Sequence, residues 1–322
     1  MKLWRPVACV FFVVLTGTAC HPSIEAKVPD ARGAESKAAL WHAPERGRDL
    51  FNGVGGAALA PPARGRFQVI ATKSSGFSDG YTLLDERGRE WSAKFPPEAQ
   101  TEVVASRLLW GIGYHQVPNY VLAGWHADNA RTANPQGIAR FRQKDIPLAG
   151  MKDEGSWSYY QNPFIGSREL AGLIVFHVML GNSDLKDEQN VLYVLTRPRE
   201  GARVWYVARD LGQTFGRSGL LNAPRNDIDA YERTTFIKGV ENGRVRFNFG
   251  GRHGPLVENI TVADVKWLCA RLNALTDKQW RDAFRAGAYE PQLAERFIRR
   301  TRQKISEGLA LTPPPPRSAS SP

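Results

Sequence analysis

Hydrophobic and polar positions alternate with a period of two along much of residues 67–125. The runs FQVIAT (67–72), GYTLLD and REWSAKF are rich in β-branched and aromatic residues, as strands are. Glu86-Arg87-Gly88 separates the last two runs and predicts a hairpin. PPEAQTEVVASRLLWGIG then begins with prolines, carries acids in its first turn and ends near glycines, which predicts a helix. VPNYVLAGW predicts a further strand.

The pattern changes after residue 125. Residues 126–165 are polar and punctuated by Gly and Pro, so we expect mostly loop there. SRELAGLIVFHVMLGN has helical apolar spacing, NVLYVL and RVWYVA predict a hairpin, and Asn242-Gly243 predicts another. From Thr261 to about Leu309 the pattern is helical. Strands with one helix, followed by helices with small hairpins, predict an α+β fold with two unequal lobes.

The ends of the chain differ from its middle. Lys2 and Arg5 precede VACVFFVVLTGTA, an apolar run that is short for a membrane span and typical of a secretory signal. We therefore divide the chain into a signal peptide (1–19), a linker rich in Ala, Gly and Pro (20–66), an N-lobe (67–125), a C-lobe (126–309) and a disordered tail (310–322).

Small residues directly before Cys20 resemble a bacterial lipoprotein processing site, in which that cysteine becomes the lipidated first residue. The sequence departs from the pattern at Gly17, where a leucine-like residue is usual, so plain cleavage after Ala19 stays open. We expect export to the periplasm or cell envelope, with membrane contact through the lipid anchor. Cys269 lies among helical apolar neighbours and His177 lies in an apolar helix, and we expect both to be core residues.

The formal net charge is +11, which favours phosphate-bearing partners or anionic surfaces. Zinc-finger spacings, RNA-binding signatures and basic-aromatic stripes are missing from the sequence, so we expect no nucleic acid partner. The basic run ERFIRRTRQK (295–304) predicts an amphipathic helix whose cations face water, with anionic lipid headgroups as an alternative contact.

Lys94 ends the strand WSAKF, and alternation places it on the face opposite Trp91 and Ala93, together with the small Ser92. Glu102 lies on the following helix, beside its apolar stripe. A strand lysine that faces a helix carboxylate can hold a phosphate. An ordinary surface salt bridge is the alternative. Glu98, one turn earlier, could take the place of Glu102, but it lies at a helix N-terminus, where surface acids are common.

Two other stretches bring polar groups to the ends of apolar runs. The loop KSSGFSDG (73–80), with Ser75 and Gly76, has small residues whose backbone N–H groups suit phosphates. NSDLKDEQNVLYV begins at Asn182, and YVARDLGQTFG contains Asp210 followed by Leu and Gly. A calcium loop in the first stretch is disfavoured because EF-hand spacing is absent.

The order of these residues is similar to that of protein-kinase-like enzymes. DLKDEQN resembles their catalytic loop and DLG resembles their Asp-Phe-Gly element, and the resemblance covers roughly residues 67–310. Kinases have His-Arg-Asp where this chain has Asn182-Ser183-Asp184, and the spacing from Asp184 to Asn190 is one residue longer. These departures resemble atypical branches, namely HipA-type bacterial kinases, phosphatidylinositol 3/4-kinases and secreted CotH-type kinases, and the branch stays open.

The resemblance implies that ATP is a substrate and that Mg²⁺ or Mn²⁺ is required. Lys94 would neutralise the α- and β-phosphates and be oriented by Glu102, while Asp210 and Asn190 would hold one or two metal ions through oxygen atoms.

Asp184 would accept or orient the proton of a substrate hydroxyl, and Lys186 would steady the transferred phosphoryl group. The sequence therefore predicts an ATP-dependent phosphotransferase acting on an unidentified hydroxyl. A catalytically inactive scaffold lipoprotein is the alternative. Hydrolysis or nucleotidyl transfer on the same metal site is a third possibility.

Overall fold

The computed structural model describes residues 35–74, 76–130, 137–144, 150–219, 223–251 and 253–312. The predicted signal peptide, Cys20, Ser75 and the residues after 312 lie outside these ranges. Within them, none of the helices combines the length and apolar character needed to cross a membrane.

The chain folds into eleven strands and eight α-helices across the described ranges. The strands are β1 (Arg66–Lys73), β2 (Gly80–Asp85), β3 (Glu90–Lys94), β4 (Tyr120–Ala123), β5 (His126–Ala127), β6 (Ile138–Gln143), β7 (Met151–Asp153), β8 (Asn190–Arg199), β9 (Ala202–Ala208), β10 (Ile237–Glu241) and β11 (Arg244–Phe247). The helices are α1 (Glu35–Ala38), α2 (Glu98–Gly111), α3 (Arg168–Leu180), α4 (Ile228–Arg233), α5 (Gly254–Glu258), α6 (Val262–Asn273), α7 (Asp277–Ala286) and α8 (Pro291–Leu309). Short 3₁₀ turns cover Ala57–Leu59 and Asp187–Gln189.

Six strands form one sheet in the order β4-β6-β3-β2-β1-β5. All of its pairings are antiparallel except that of β1 with β5, and the predicted β2–β3 hairpin is confirmed. A single cross-strand row runs from Lys73 to Gly80, Lys94 and Arg140. Because side chains alternate between faces, Lys73, Lys94 and Arg140 share one face of the sheet.

The other face of this sheet is apolar and forms its own core. Its buried members are Phe67, Tyr81, Leu83, Trp91, Ala93, Phe95, Ala127, Ala139 and Phe141. The predicted alternation in β3 is therefore correct, with Trp91 and Ala93 in this core and Lys94 on the opposite face.

The helix α2 connects the sheet to the rest of the molecule. It packs against β4 and β6 on one side and against α7 on the other. Its residues Val104, Leu108 and Ile112 belong to the second, larger core, which also contains α3 and the β8–β9 hairpin. The molecule thus has a small β-rich lobe with one helix and a larger, mostly helical lobe with hairpins, which confirms the predicted α+β architecture.

The first sheet extends further along the chain than the sequence pattern indicates. We ended the N-lobe at residue 125, but β5 and β6 (Ile138–Gln143) belong to this sheet, and β6 pairs with both β3 and β4. The prediction of loop at these positions was wrong because IARFRQ alternates apolar residues with Arg140 and Arg142, which face the polar side of the sheet. These two arginines make the sequence of a central strand as polar as that of a loop.

Part of the predicted linker (20–66) is packed rather than extended in solvent. Leu40 and Leu50 are fully buried. We call residues 39–50 the N-terminal strap. Trp41 Nε1 donates to Ile112 O at 2.7 Å and Arg48 Nη1 donates to Trp110 O at 2.6 Å. The strap therefore donates to carbonyl groups at the C-terminal end of α2, and Trp110 O also accepts from Gly113 N at 3.1 Å.

The predicted helices and hairpins of the C-lobe are confirmed. The helix α3 begins at the N-cap Ser167, whose side chain accepts from Leu170 N, and ends at Gly181 with φ +77°. A residue in this left-handed conformation ends a helix sharply, and glycine adopts it without strain. The chain therefore turns directly from α3 into the segment that begins at Asn182.

Candidate functional site

Lys94 is the centre of a partly buried ionic cluster. Its ammonium lies 3.0 Å from Glu102 Oε2 and 3.4 Å from Glu98 Oε2, both on α2, and it contacts Asp210 Oδ1 in the turn after β9. One turn of α2 separates the two glutamates, so both reach the same ammonium. The sequence-predicted residues Lys94, Glu102 and Asp210 are thus brought together.

Glu102 is 2% exposed and is held by three cations. Besides Lys94, Arg140 Nε and Arg142 Nη1 each lie 3.1 Å from Glu102 Oε1. Burial alone would raise the pKa of this carboxyl, but Arg140 and Lys94 lower it below its ordinary value. Glu102 therefore stays ionised and fixes the position of Lys94.

Glu98 is not the surface acid that its place at a helix N-terminus suggests. It is buried, and Arg225 Nη1 contacts its Oε1 atom. A Cβ atom at Gly212 would lie 2.6 Å from Glu98 Cβ, and Gly212 O accepts from Thr101 Oγ1 at 2.7 Å. The glycine of the DLG run therefore allows this turn to pack directly against α2.

Asp210 stands in a left-handed backbone conformation with φ +62°. Burial alone would raise the pKa of its carboxyl, but Lys94 and Arg142, together with the hydrogen bond from Lys94, hold it well below its ordinary value. Lys94 in turn has a pKa above its ordinary value, since burial lowers it less than Glu102 and Asp210 raise it. Both groups are charged at neutral pH.

Asp184 and Lys186 form a second polar group. Lys186 Nζ lies 2.8 Å from Asp184 Oδ1, and Gln189 Nε2 donates to Asp184 Oδ2 at 2.6 Å. The side chain of Lys186 is 50% exposed, and that of Asp184 is 22% exposed. The carboxylate is thus oriented by two neighbours and keeps contact with solvent.

A buried network holds the backbone of this loop. His177 on α3 is confirmed as a core residue, and its Nδ1 accepts from Asn182 Nδ2 at 3.0 Å. The ring is therefore neutral with its proton on Nε2, which donates to Tyr159 Oη at 3.0 Å. Asn182 Oδ1 accepts from Asp184 N at 2.9 Å, so this network sets the position of the predicted catalytic acid.

Gln189 links the two groups. Its side chain binds Asp184, and its carbonyl oxygen accepts from Arg209 N at 3.2 Å, one residue before Asp210. Its neighbour Asn190 begins β8 opposite Ala208 at the end of β9. The pairing of β8 with β9 therefore brings the DLKDEQN and DLG stretches together at the end of the hairpin where β8 begins and β9 ends.

The side-chain oxygen atoms at this end of the hairpin are the kind of ligand that a hard divalent cation prefers. Asn190 Nδ2 donates to Trp157 O at 3.1 Å, so its amide oxygen is the atom available to a metal, alongside the carboxylate of Asp210. Across the described ranges no three or more His, Cys, Asp and Glu side chains are grouped so that they could hold a metal. Mg²⁺ commonly takes one or two protein oxygens and completes its shell with phosphate and water. Asn190 and Asp210 fit that limited role.

Phe77, in the loop between β1 and β2, contacts an arginine of the cluster. Gly76 has φ +109°, and a Cβ atom there would meet nothing within 4 Å. Its neighbour Phe77 lies with its ring centroid 3.5 Å from the guanidinium of Arg225, the residue that binds Glu98. This contact joins the loop to the segment after the DLG turn.

Arg140, Arg142, Arg225 and Gln189 were missed by the sequence reasoning. Two of them could have been found, because Arg140 and Arg142 alternate with apolar residues in IARFRQ, as side chains on one face of a strand do. Arg225 carries no such signal, since its contact with Glu98 spans 127 residues of chain.

No protein-family model and no curated protein match this sequence. Among solved structures, the chain is similar to the Helicobacter pylori proinflammatory kinase CtkA, with 10% identity, coverage of 75% of this chain and 98% of that chain, and a TM-score of 0.33. It is also similar to the Golgi casein kinase, with 8% identity, coverage of 78% and 73%, and a TM-score of 0.38.

Proposed function

We propose that this chain is a metal- and ATP-dependent phosphotransferase of kinase-like fold that acts on a hydroxyl group. The observation that carries the proposal is the contact of Lys94 with both Glu102 on α2 and Asp210 after β9. A buried lysine held between a helix glutamate and the acid of an Asp-x-Gly turn is the arrangement with which kinases position ATP phosphates and metal. An ordinary surface salt bridge does not explain three carboxylates around one ammonium.

Phosphoryl transfer requires positioning and neutralisation of charge more than covalent chemistry by the protein. In the proposed reaction the acceptor oxygen bonds to the γ-phosphorus, the bond to the β–γ bridging oxygen breaks, and ADP leaves. Asp184 takes the proton of the acceptor hydroxyl, and Lys186, 2.8 Å from it, neutralises charge on the transferred group. Lys94 binds the α- and β-phosphates. A bound divalent cation, held by Asp210 and Asn190, would supply further neutralisation of the phosphates.

The proposal places the protein outside the cytoplasm. The basic residues and apolar run of residues 1–19, followed by Cys20, support export with a lipid anchor. Mass spectrometry of the N-terminus after expression in bacteria would distinguish a lipidated Cys20 from cleavage after Ala19 without lipid.

Thermal unfolding with nucleotide tests the proposal. A ligand at a hundredfold excess over its Kd adds about 2.7 kcal/mol, which corresponds to a rise in Tm of several degrees at roughly 2–4 °C per kcal/mol. We expect this rise with ATP and Mg²⁺ or Mn²⁺ for the wild type, and no rise for Asp210→Ala. Asp229→Ala, at an exposed carboxylate, is the control and should keep it.

Transfer of labelled phosphate to a mixture of candidate acceptors completes the test. Asp184→Asn should keep the thermal shift and lose transfer. A wild-type chain that shows no thermal shift would favour a scaffold protein, and a shift without any transfer would favour a catalytically inactive nucleotide-binding protein.

A further inference from the structure

Lys73 is a cation without a counterion at the edge of the site. It ends β1 and its side chain is partly buried. Its Nζ donates to Ser92 Oγ at 3.1 Å, and no carboxylate of the described residues forms an ion pair with it. Ser92 lies on the same sheet face as Lys94. Lys73 therefore points into the polar side of the sheet rather than into solvent.

The surroundings of Lys73 repel its charge. Burial lowers its pKa below the ordinary value, and Arg142, Arg140, Lys144 and Lys94 lower it further. Ammonium groups are normally buried with a partner because an uncompensated charge is costly. An anion bound between Lys73 and Arg142 would compensate this repulsion.

The charges of the cluster do not balance. Five cations surround three carboxylates, which leaves an excess of two positive charges. The cations are Lys73, Lys94, Arg140, Arg142 and Arg225, and the carboxylates are Glu98, Glu102 and Asp210. All three carboxylates contact Lys94, and none of them forms an ion pair with Lys73.

The side chain of Lys73 extends towards the strand of Lys94. Lys73 and Lys94 are both partners of Gly80, on opposite sides of it, so two strand spacings of about 9–10 Å in all separate their backbones. Gly80 carries no side chain, and Lys73 crosses β2 so that its Nζ reaches Ser92 Oγ on β3. Ser92 is two residues before Lys94 on the same face of β3, so a chain of phosphates bound at Lys94 can extend along this strand to Lys73.

We infer that Lys73 and Arg142 form a second anion subsite, which binds the terminal phosphate of a triphosphate whose inner phosphates lie on Lys94. The inference rests on the proposed function and adds to it that the cleft selects triphosphates over diphosphates. Arg142 contributes because its guanidinium has donors beyond the one that binds Glu102, and its side chain is 16% exposed.

The test compares Lys73→Gln with Lys144→Gln. Lys144 follows β6, pairs with Glu90 at 3.5 Å and undergoes the same loss of charge, so it is a matched control. Because Lys73→Gln removes repulsion, we expect the variant to melt at or above the wild-type temperature. Binding of ATP, ADP, inorganic tripolyphosphate and pyrophosphate is then measured by calorimetry in the presence of Mg²⁺.

Lys73→Gln should weaken the binding of ATP and of tripolyphosphate about tenfold, as expected for the loss of one charge-assisted hydrogen bond. The same variant should change the Kd of ADP and of pyrophosphate less than twofold. Lys144→Gln should leave the Kd of all four ligands unchanged. Equal weakening of ATP and ADP, or no weakening, would overturn the second subsite while leaving the proposed function intact. A wild-type protein that binds none of the four would overturn both.

Discussion

The ammonium of Lys94 contacts the carboxylate of Asp210, which lies 116 residues further along the chain. Lys94 ends a strand of the small lobe, and Asp210 follows a hairpin strand of the large lobe. The contact is therefore a direct electrostatic link between the two lobes. Their side chains are 17% and 33% exposed, so solvent screens the pair only in part.

A double-mutant cycle should show strong coupling between these two residues. Lys94→Met leaves three carboxylates without their shared ammonium, and we expect a loss of about 3 kcal/mol, the lower end for a buried pair because Asp210 is a third exposed. Asp210→Asn in the Lys94→Met background should cost less than in the wild type, with a coupling energy of about 0.5–3 kcal/mol. Urea unfolding of the four proteins measures it. Additive losses would mean that the pair does not link the lobes.

Local patterns were sufficient to predict the centre of the site. Alternation in WSAKF fixed the face of Lys94, and the placement of Glu102 beside the apolar stripe of α2 fixed its direction. Asp184 and Asp210 each follow an apolar run, and this pattern predicts that the DLKDEQN and DLG stretches meet. These are properties of single elements, and each is visible within about ten residues of sequence.

The surroundings of the site depend on pairings that local patterns do not encode. The residues of β6 pair with residues of β3 that lie 46 to 52 positions earlier in the chain, and only that pairing brings Arg140 and Arg142 to Glu102. The sequence of the N-terminal strap predicts a linker because Leu40-Trp41 and Leu50-Phe51 are short apolar pairs among Ala, Gly and charged residues. The burial of Leu40 and Leu50 depends on the end of α2, far along the chain.

Gly212→Ala should disturb the site through packing alone. The added Cβ atom would lie 2.6 Å from Glu98 Cβ, a backbone-attached atom that cannot rotate away, so α2 must shift. We expect a loss of about 1–3 kcal/mol, typical of overpacking, and a smaller ATP-dependent rise in Tm.

Gly254→Ala is the control, since a Cβ atom at Gly254 in α5 meets nothing within 4 Å. Thermal unfolding with and without nucleotide compares the variants. If Gly212→Ala matches Gly254→Ala in both measurements, the close contact of the DLG turn with α2 does not hold Lys94 in place.

His177 should make the protein less stable in mild acid. Burial lowers the pKa of His177 to about 3, although Asp184 raises it, and a proton on Nδ1 would face the amide donor of Asn182. The unfolded chain binds this proton near pH 6.5 and the folded chain does not. Stability should therefore fall as pH drops from about 6.5 towards 3, by up to about 1.4 kcal/mol per pH unit.

His177→Gln should remove this part of the pH dependence. We expect a flatter plot of unfolding free energy against pH between 6.5 and 4.5 than for the wild type. His126→Gln, at a side chain that is 76% exposed, should leave the wild-type slope. Urea titrations at several pH values measure the slopes. Equal slopes for His177→Gln and the wild type would show that His177 is protonated in the folded state.

Lys304 is a buried cation, although the sequence pattern of residues 295–304 predicts that the cations of this helix face water. It is 1% exposed on α8, its Nζ donates to Met179 O at 3.0 Å, and it lies 3.6 Å from the centroid of the Tyr231 ring. Burial and Arg300 lower its pKa well below the ordinary value, more than Glu307 raises it. The folded chain therefore binds this proton less readily than the unfolded chain. The free energy of unfolding should rise with pH through the window between the two pKa values.

Lys304→Met should remove this pH dependence and raise the free energy of unfolding at pH 7 by on the order of 1 kcal/mol, because an uncompensated buried charge is replaced by an apolar side chain of similar length. Tyr231 Oη also donates to Met179 O, at 3.3 Å, so that carbonyl keeps a partner. Lys278→Met, at a side chain that is 80% exposed, is the control and should keep the wild-type pH dependence. Urea unfolding at pH 7 and pH 9 measures all three proteins. A large loss of stability in Lys304→Met at both pH values would instead show that the bond from Lys304 to Met179 outweighs the cost of its burial, and that the end of α3 before Asn182 depends on it.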